Sequence, residues 1–384
     1  MPIFFVIFLS LAISIGFAEE SKSICLNMIV KNESKVIQRC LESVKKIIDY
    51  WVIVDTGSSD ETQAIIKECL RDIPGELHER PWVNFGHNRN EALVLAKHKA
   101  DYLLFIDADE ILVFSSDFDK KKLDKDYYFV NVFDNDPDAL IFQRGILINN
   151  HLEWAWKGIL HEELVKPANA KNHALLDQFT IKNLGDGARA QSPDKYLKDA
   201  ALLESALQKD PTNARYVFYL AQSYANAQEY LLALKQYERR TTMGGWDQEV
   251  FWSLYAVAKL QEHLQMAPEK VIQSYCKTYQ YAKTRAEPLF RLADYLYKNQ
   301  NYVLGYALAK FALTIPLPNE IVYIERWVYD YGLLFAFANC AYGMGQYKEA
   351  LTAFEQILGK ENIPQDVQQR VKTNIACLKG LLPN

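Results

Sequence analysis

A short apolar run that ends in carboxylates constrains the fold of this chain more than any other stretch. Residues 102–106, YLLFI, have the length and composition of a strand that is buried on both faces. Three carboxylates follow within four residues, at Asp107, Asp109 and Glu110. Burying them without partners is costly, so we expect them at a strand end, facing solvent or a cation. Asp107 and Asp109 can both be directed at one divalent ion, which takes oxygen ligands; the alternative is a polar loop after a core strand.

Further apolar runs in the first half alternate with amphipathic segments. Strands are predicted at 23–30, 50–54 and 76–80, and segments with helical spacing follow each of them. This alternation predicts a parallel sheet with helices on both faces, in which ligands bind beyond the carboxyl ends of the strands. Several polar residues occupy strand ends or helix starts, so we expect most of them to converge on that edge: Glu33, Asp55, Arg89, Asp107 and Asp109.

Five segments of the first half together resemble family-2 glycosyltransferases with the GT-A fold. They occur in the order and at about the spacing of that family: MIVKNE (28–33), VDTGSSDET (54–62), NFGHNRNEAL (84–93), FIDADE (105–110) and WKGILHEEL (156–164). The resemblance covers roughly residues 23–165. It implies an α/β GT-A-like domain that moves a sugar from a nucleoside diphosphate to an acceptor and inverts the anomeric centre.

The resemblance also implies roles for individual residues. Asp55 resembles the carboxylate that hydrogen-bonds the nucleotide base, and Glu33 and Arg89 are expected near the nucleotide and its phosphates. Asp107 resembles the ribose-side member of the D-x-D pair, and Asp109 the direct ligand of a Mn²⁺ or Mg²⁺ ion. The expected donor is a UDP-sugar. A divalent cation and an arginine suit this chemistry because the leaving diphosphate gains negative charge in the transition state.

The reaction centre of the resembling enzymes lies near a His-Glu pair, which is present here as His161 and Glu162. Glu162 is the predicted general base, because an acceptor nucleophile must lose its proton as it attacks. His161 is a candidate further metal ligand beside Asp107 and Asp109, and Arg144, in the second strand of a predicted hairpin (127–133 and 140–148), is assigned to the nucleotide site. The alternative is that His161 and Glu162 are surface groups at a strand end.

From Ser192 onward the apolar spacing is helical to the end of the chain, without strand signals. Small and aromatic positions recur in three places and resemble tetratricopeptide (TPR) repeats: 220–237, 337–354 and, more loosely, 292–309. Stacked helical pairs form a concave surface that commonly holds a peptide or protein. We therefore expect the acceptor, a peptide, protein or glycan, to be recognised partly by this region; the alternative is that the helices only support the catalytic domain.

Composition and the N-terminus limit the remaining possibilities. The net charge is −5 and there is no basic tract, which argues against nucleic acid as a partner. Six cysteines are scattered without a C-x-x-C, so buried free thiols are expected. Residues 1–20 match a signal peptide but lack a basic n-region. If they are a signal or anchor, with membrane contact through residues 3–18, the protein belongs to the secretory pathway, an extracytoplasmic space or a membrane; otherwise it is cytoplasmic.

The predicted organisation is a signal or anchor segment (1–20), a GT-A-like domain (21–190) and a TPR-like helical domain (191–384). The predicted function is metal-dependent, inverting sugar transfer. The main alternative is a TPR-type interaction scaffold whose glycosyltransferase-like domain is inactive. A third hypothesis, a nucleotidyltransferase, is opposed by the missing Gly-rich phosphate loop after the first strand.

Overall fold

The computed structural model describes residues 21–134, 142–319, 323–361 and 363–382. The predicted signal or anchor segment, residues 1–20, and the turn of the predicted hairpin lie outside these ranges. Within the ranges, no helix is both long and apolar enough to cross a bilayer. The six cysteines are free thiols, of which Cys25, Cys40 and Cys340 are buried and Cys377 is exposed.

The first half alternates strands and helices, as its sequence predicts. Its elements are β1 (Ile24–Val30), α1 (Ile37–Val44), β2 (Tyr50–Asp55), α2 (Thr62–Cys69), β3 (Gly75–Glu79), α3 (Phe85–Ala96), β4 (Tyr102–Phe105), β5 (Glu110–Phe114), β6 (Tyr127–Asp134), β7 (Phe142–Asn149), β8 (Ala155–Lys157), β9 (Glu163–Val165) and β10 (His173–Asn183). Strands β5, β8, β9 and β10 are not predicted by the sequence pattern.

Eight of these strands form one sheet in the order β3-β2-β1-β4-β7-β6-β10-β5. Strand β1 pairs in parallel with both β2 and β4, and β2 pairs in parallel with β3. Strand β7 then runs antiparallel to β4 and β6. The chain order reverses at β1, so the carboxyl ends of β1, β2 and β4 form a topological switch point, where open α/β sheets bind ligands.

Helices cover both faces of the parallel part of the sheet, which confirms the predicted layering. Alternate residues of β1 point to opposite faces, as the strand period of two requires. Ile24, Leu26 and Met28 pack in the core that includes α1, whereas Cys25 packs with Leu93 of α3. The long apolar runs of the strands are therefore explained by burial on two sides.

The second half consists mainly of helices that pack in sequence: α4 (Lys195–Lys209), α5 (Ala214–Asn226), α6 (Tyr230–Arg240), α7 (Asp247–His263), α8 (Pro268–Tyr281), α9 (Glu287–Lys298), α10 (Tyr302–Ala312), α11 (Leu333–Gly343), α12 (Tyr347–Leu358) and α13 (Gln365–Leu381). The three predicted repeats are the pairs α5/α6, α9/α10 and α11/α12. The pair α7/α8 was not predicted as a repeat. The architecture is thus a mostly parallel, GT-A-like sheet domain followed by a TPR-like helical domain.

One part of the helical half departs from the prediction of continuous helical spacing. Helix α10 ends at Ala312, and residues 316–319 and 323–325 have no regular secondary structure before a π-helical turn at Val328–Gly332 leads into α11. Side chains of this connection contact α5, α7 and α9. Helices α5, α7 and α9 share one side of the domain with α11 and α13, and we call this side the inner face. The connection takes its conformation from its packing against these distant helices. The spacing of apolar residues along the sequence does not reveal such contacts.

Candidate active site

Asp55, at the end of β2, has one carboxylate oxygen without a partner. Its Oδ1 accepts hydrogen bonds from the backbone N–H groups of Gly57 and Ser58, at 2.8 and 2.7 Å. Gly57 has φ +107°, a conformation that favours glycine and lets the backbone turn back toward the carboxylate. The second oxygen, Oδ2, is buried and accepts no bond from the described residues. A buried, unsatisfied acceptor at the sheet's ligand-binding edge fits an N–H donor from a bound base, as predicted for Asp55.

Arg89, on α3, joins two residues that the sequence assigns to the site. Its Nε donates to Glu162 Oε1 at 2.6 Å, and a terminal nitrogen donates to Asp107 Oδ1 at 2.8 Å. The guanidinium also lies 5.1 Å from the ring centroid of Trp156. Because Arg89 is only 12% exposed, these charge-assisted bonds are shielded from water. The side chain therefore holds the D-x-D turn and the His-Glu segment together.

Asp107 lies between two arginines, Arg89 and Arg144. Arg144 reaches it at 3.8 Å and donates to Glu110 at 2.6 Å, while Glu110 accepts the Asp107 backbone N–H at 2.9 Å. Burial raises the pKa of Asp107, but the charges of Arg89 and Arg144 lower it below its usual value. Asp107 nevertheless keeps 39% of its side-chain surface accessible, so it can still contact a ligand. Glu110, which is buried, supports this turn and was not assigned a role from sequence.

Asp109 and Glu33 are carboxylates with less positive charge near them than Asp107 has. Burial, opposed by the Ala188 backbone N–H and reinforced by the charges of Asp109 and Asp107, raises the pKa of Glu33 to about 7. Burial and the charge of Asp107 likewise raise the pKa of Asp109. The Asp109 carboxylate accepts a long bond, 3.3 Å, from the Gly187 backbone N–H. Crowded carboxylates of this kind fit a hard divalent cation.

The protein ligands for such a cation are few. The described residues contain no grouping of three or more His, Cys, Asp or Glu side chains arranged to hold a metal ion. An ion at Asp109 would therefore take most of its ligands from elsewhere, as Mg²⁺ does when it bridges a carboxylate and a diphosphate. The predicted metal roles of Asp107, Asp109 and His161 remain predictions.

The His-Glu pair lies on a segment, residues 158–162, that packs against the helical domain; we call it the strap. Leu160 is buried in the core formed by α4 to α7. The His161 ring stacks on Tyr219 of α5 with centroids 3.8 Å apart, and Arg215 donates two hydrogen bonds to the His161 carbonyl. Desolvation of the ring by the surrounding protein lowers the pKa of His161 to about 3, and the positive charges of Arg189, Arg215 and Lys195 contribute less. The imidazole is therefore neutral at pH 7.

The start of α3 packs very closely on the strap. The Gly86 backbone N–H donates to the Gly158 carbonyl at 3.1 Å, and a Cβ on Gly86 would lie only 2.3 Å from that oxygen. Glycine in the NFGHNR motif thus permits a close approach that places Arg89, one turn later, beside Glu162.

Two contacts at the site were not predicted from sequence. The connection after β10 lies over the sheet edge, where Ala188 donates its backbone N–H to Glu33 at 3.1 Å and Asp186 pairs with Arg39. Tyr219 reaches the strap from the helical domain. The first depends on how the connection after β10 folds over the sheet, and the second on how the two halves pack. No motif marks either; the only local signal is the glycine pair at 185 and 187.

Comparison with known proteins identifies the first half. Residues 25–167 match the model of the family described as glycosyl transferase family 2. This part of the chain is similar to a family-2 glycosyltransferase domain. The glycosyltransferase SunS of Bacillus subtilis is 28% identical over 219 residues, which are 52% of this chain and 49% of SunS. An uncharacterised glycosyltransferase of Rickettsia bellii is 32% identical over 128 residues, covering 33% of this chain and 39% of the relative.

Other matches are to proteins named for TPR repeats. A TPR repeat-containing protein of Synechococcus elongatus is 38% identical over 100 residues, which are 26% of this chain and 23% of that protein. Among solved structures, YrrB, described as a TPR protein with an unusual peptide-binding site, has a TM-score of 0.36 at 10% identity and covers 47% of this chain and 84% of its own. The chain spans about half or less of the length of these three sequence relatives.

Proposed function

We propose that this protein transfers a sugar from a nucleoside-diphosphate sugar, with a UDP-sugar as the expected donor, to an acceptor, with inversion of the anomeric centre and dependence on Mn²⁺ or Mg²⁺. The observation that carries the proposal is the bridge from Arg89 to both Asp107 and Glu162 at the switch point of a family-2 domain. This bridge brings a phosphate-side arginine, a D-x-D carboxylate and a candidate base into contact. The alternative, an inactive domain carried by a TPR scaffold, does not require that arrangement.

Donor binding would use the residues at the ends of the parallel strands. The free Oδ2 of Asp55 would accept a hydrogen bond from an N–H of the base. Asp109, with the Glu33 carboxylate nearby, would hold the cation. When bound, the cation would neutralise charge on the diphosphate. Arg89 and Arg144 add positive charge at the same edge, where the leaving group becomes more negative as the glycosidic bond breaks.

Glu162 would take the acceptor's proton. In the proposed step the acceptor's nucleophilic atom forms a bond to the anomeric carbon, the bond from that carbon to the diphosphate oxygen breaks, and the proton passes to the Glu162 carboxylate. Arg89 binds Oε1, and no hydrogen bond from a described residue reaches Oε2, so one oxygen is available.

Acceptor recognition is proposed to involve the helical domain. The strap that carries Glu162 is packed on α5, so an acceptor bound against the helices would reach the reaction centre directly. Its class, peptide, protein or glycan, is left to experiment. The name of YrrB mentions peptide binding by that protein. Stacked helical repeats in general present extended binding surfaces.

The test is a panel of nucleotide sugars with Mn²⁺, scored by calorimetric binding and by slow donor hydrolysis. We expect one nucleotide to bind in a metal-dependent manner and its sugar derivative to be hydrolysed. Glu162→Gln should retain donor binding, because an amide oxygen can still accept from Arg89, but should lose transfer. If no nucleotide binds, with or without metal, the inactive-scaffold alternative is supported.

A further inference from the structure

Part of the inner face of the helical domain is covered by the chain's own residues Tyr323–Trp327, which we call the inner segment. The Tyr323 ring stacks on Trp252 of α7, with centroids 5.1 Å apart, and contacts Phe218 of α5 edge-on at 5.8 Å. Arg285 donates a hydrogen bond to the Tyr323 carbonyl. A segment that follows α10 in sequence thus packs on helices α5 and α7, which come much earlier in the chain.

Glu325 fixes this segment through a buried carboxylate. Tyr255 of α7 donates its hydroxyl to Glu325 at 2.5 Å, and Arg291 of α9 donates to the other oxygen at 3.2 Å. The Nζ of Lys259, which is also on α7, lies 3.8 Å from Glu325 Oε1. Because Glu325 is 9% exposed and is held by groups on two helices, its position defines where the inner segment lies.

The inner segment connects to the strap through Tyr219. Tyr323, Tyr219 and Ile159 of the strap pack against the same apolar cluster, which includes Leu160. Phe218, which Tyr323 contacts edge-on, also lies edge-on to Tyr219, with ring centroids 5.2 Å apart. Burial, with a smaller contribution from Tyr219, raises the pKa of Tyr323. The opposite end of the contact series is the stack of Tyr219 on His161, the residue before Glu162. His161 has φ +51°, a conformation that costs free energy in a residue with a side chain and persists only where surrounding contacts enforce it.

We propose that Glu325 and Tyr323 are positioning residues for sugar transfer: Glu325 anchors the inner segment, Tyr323 then fixes the Tyr219 ring, and Tyr219 holds His161 so that Glu162 faces the acceptor. The proposal rests on the proposed function of Glu162 as the base. It assigns the helical domain a part in the reaction in addition to any part in acceptor binding. It also means that this stretch of the inner face is already occupied by the chain.

The test compares Glu325→Gln with a matched control, Glu262→Gln. Glu262 also accepts a tyrosine hydroxyl, from Tyr275 at 2.6 Å, within the same domain. Among the described residues Glu262 makes no direct contact with the inner segment; the Tyr275 ring reaches Tyr255 only at a centroid distance of 6.5 Å. The first readout is the NMR signal of the His161 ring, identified by its absence in His161→Gln. The Tyr219 ring, stacked at 3.8 Å, shifts this signal through its ring current. The second readout is kcat and donor KM.

We expect Glu325→Gln to move the His161 signal toward that of a histidine without a stacked aromatic ring and to lower kcat by about tenfold to a hundredfold, because misplacement of about 1 Å has effects of that size. Donor KM should be unchanged. Tyr323→Phe, which keeps the ring and removes the hydroxyl, should have a smaller effect of the same kind. Glu262→Gln should leave both readouts as in the wild type.

Three results would overturn the proposal: an unchanged His161 signal in Glu325→Gln, equal changes in the control, or faster transfer, which would mean that the segment obstructs the site. If the wild type shows neither donor binding nor transfer, the proposed function fails. The NMR comparison still decides whether Glu325 positions His161, so the two failures are distinguishable.

Discussion

Arg89→Met should destabilise the protein by an amount that depends on pH. The substitution removes a cation that is 12% exposed and leaves the carboxylates of Asp107 and Glu162 without it. Removing one partner of a buried ion pair costs about 3–5 kcal/mol. Asp107 is 39% exposed and keeps Arg144 at 3.8 Å, so part of this cost is screened. We therefore expect a loss of about 2–3 kcal/mol in the free energy of unfolding at pH 7.

The direction of the pH effect follows from the pKa of Asp107. In the wild type that pKa is below its usual value, so the stability it contributes is present above the unfolded pKa of about 4 and is lost as the pH falls through the folded pKa. In Arg89→Met, burial with less positive charge nearby should raise the folded pKa. As the pH falls, protonation of Asp107 then removes the unpaired charge from the variant. The difference in the free energy of unfolding between the variant and the wild type should therefore narrow between about pH 6 and pH 4.

Urea unfolding at pH 7, 5.5 and 4 measures both effects. Arg71→Met is the control, because Arg71 is 65% exposed and its bond to Glu68 lies on the surface; its loss should be under about 0.5 kcal/mol at each pH. The double variant Arg89→Met/Glu162→Gln should recover about 1 kcal/mol, since it removes one of the unpaired charges. A loss in Arg89→Met that is the same at all three pH values would refute the electrostatic explanation.

Three further predictions concern the metal, the N-terminus and the strap. Asp109→Asn should abolish Mn²⁺-dependent UDP binding in calorimetry with little change in melting temperature; unchanged binding would remove Asp109 from the site. A chain beginning at Ser21 should be soluble and folded, because β1 begins at Ile24 and is preceded by the Ser23–Asp101 bonds; aggregation would assign residues 1–20 to the core. Gly86→Ala should cost about 1–3 kcal/mol in urea unfolding through its clash with the strap, whereas Gly380→Ala, with no atoms within 4 Å, should not destabilise.

The site was predictable where residues follow buried strands. A parallel strand covered on both faces must be an apolar run, and the first polar residue after it marks the ligand-binding edge. This is how Asp55 and Asp107 could be placed at the switch point from sequence, and the structure puts them at the ends of β2 and β4. Strand β10 was missed because its solvent exposure alternates irregularly and its position depends on pairing with β6 and β5.

The contacts between the two halves could not be predicted in the same way. The sequence analysis placed Glu162 near the reaction centre by resemblance, but nothing in the motif indicates that the strap packs on α5. Likewise, the position of Glu325 depends on Tyr255, Lys259 and Arg291, which lie 34 to 70 residues earlier in the chain. Such contacts leave no periodic signal, since they join Glu325 to residues of α7 and α9 that are distant in sequence.

The open part of the inner face gives the sharpest test of acceptor binding. Beyond the inner segment lies a recess of about 370 Å³ whose lining includes Trp327, Asn339 and Arg370. The Arg370 guanidinium lies 5.0 Å from the centroid of the Phe335 ring, and no salt bridge to Arg370 occurs within the described ranges. Its charge is therefore available to an acceptor that binds there.

If the acceptor occupies this recess, Arg370→Ala and Asn339→Ala should each raise its KM severalfold while donor hydrolysis stays intact, because only acceptor contacts are lost. Arg326→Ala is the matched control: Arg326 is 62% exposed, pairs with Asp330 at 3.5 Å and does not line the recess. Equal losses of transfer and hydrolysis would indicate a folding defect. An unchanged acceptor KM in both recess variants would show that the helices support the catalytic domain without binding the acceptor there.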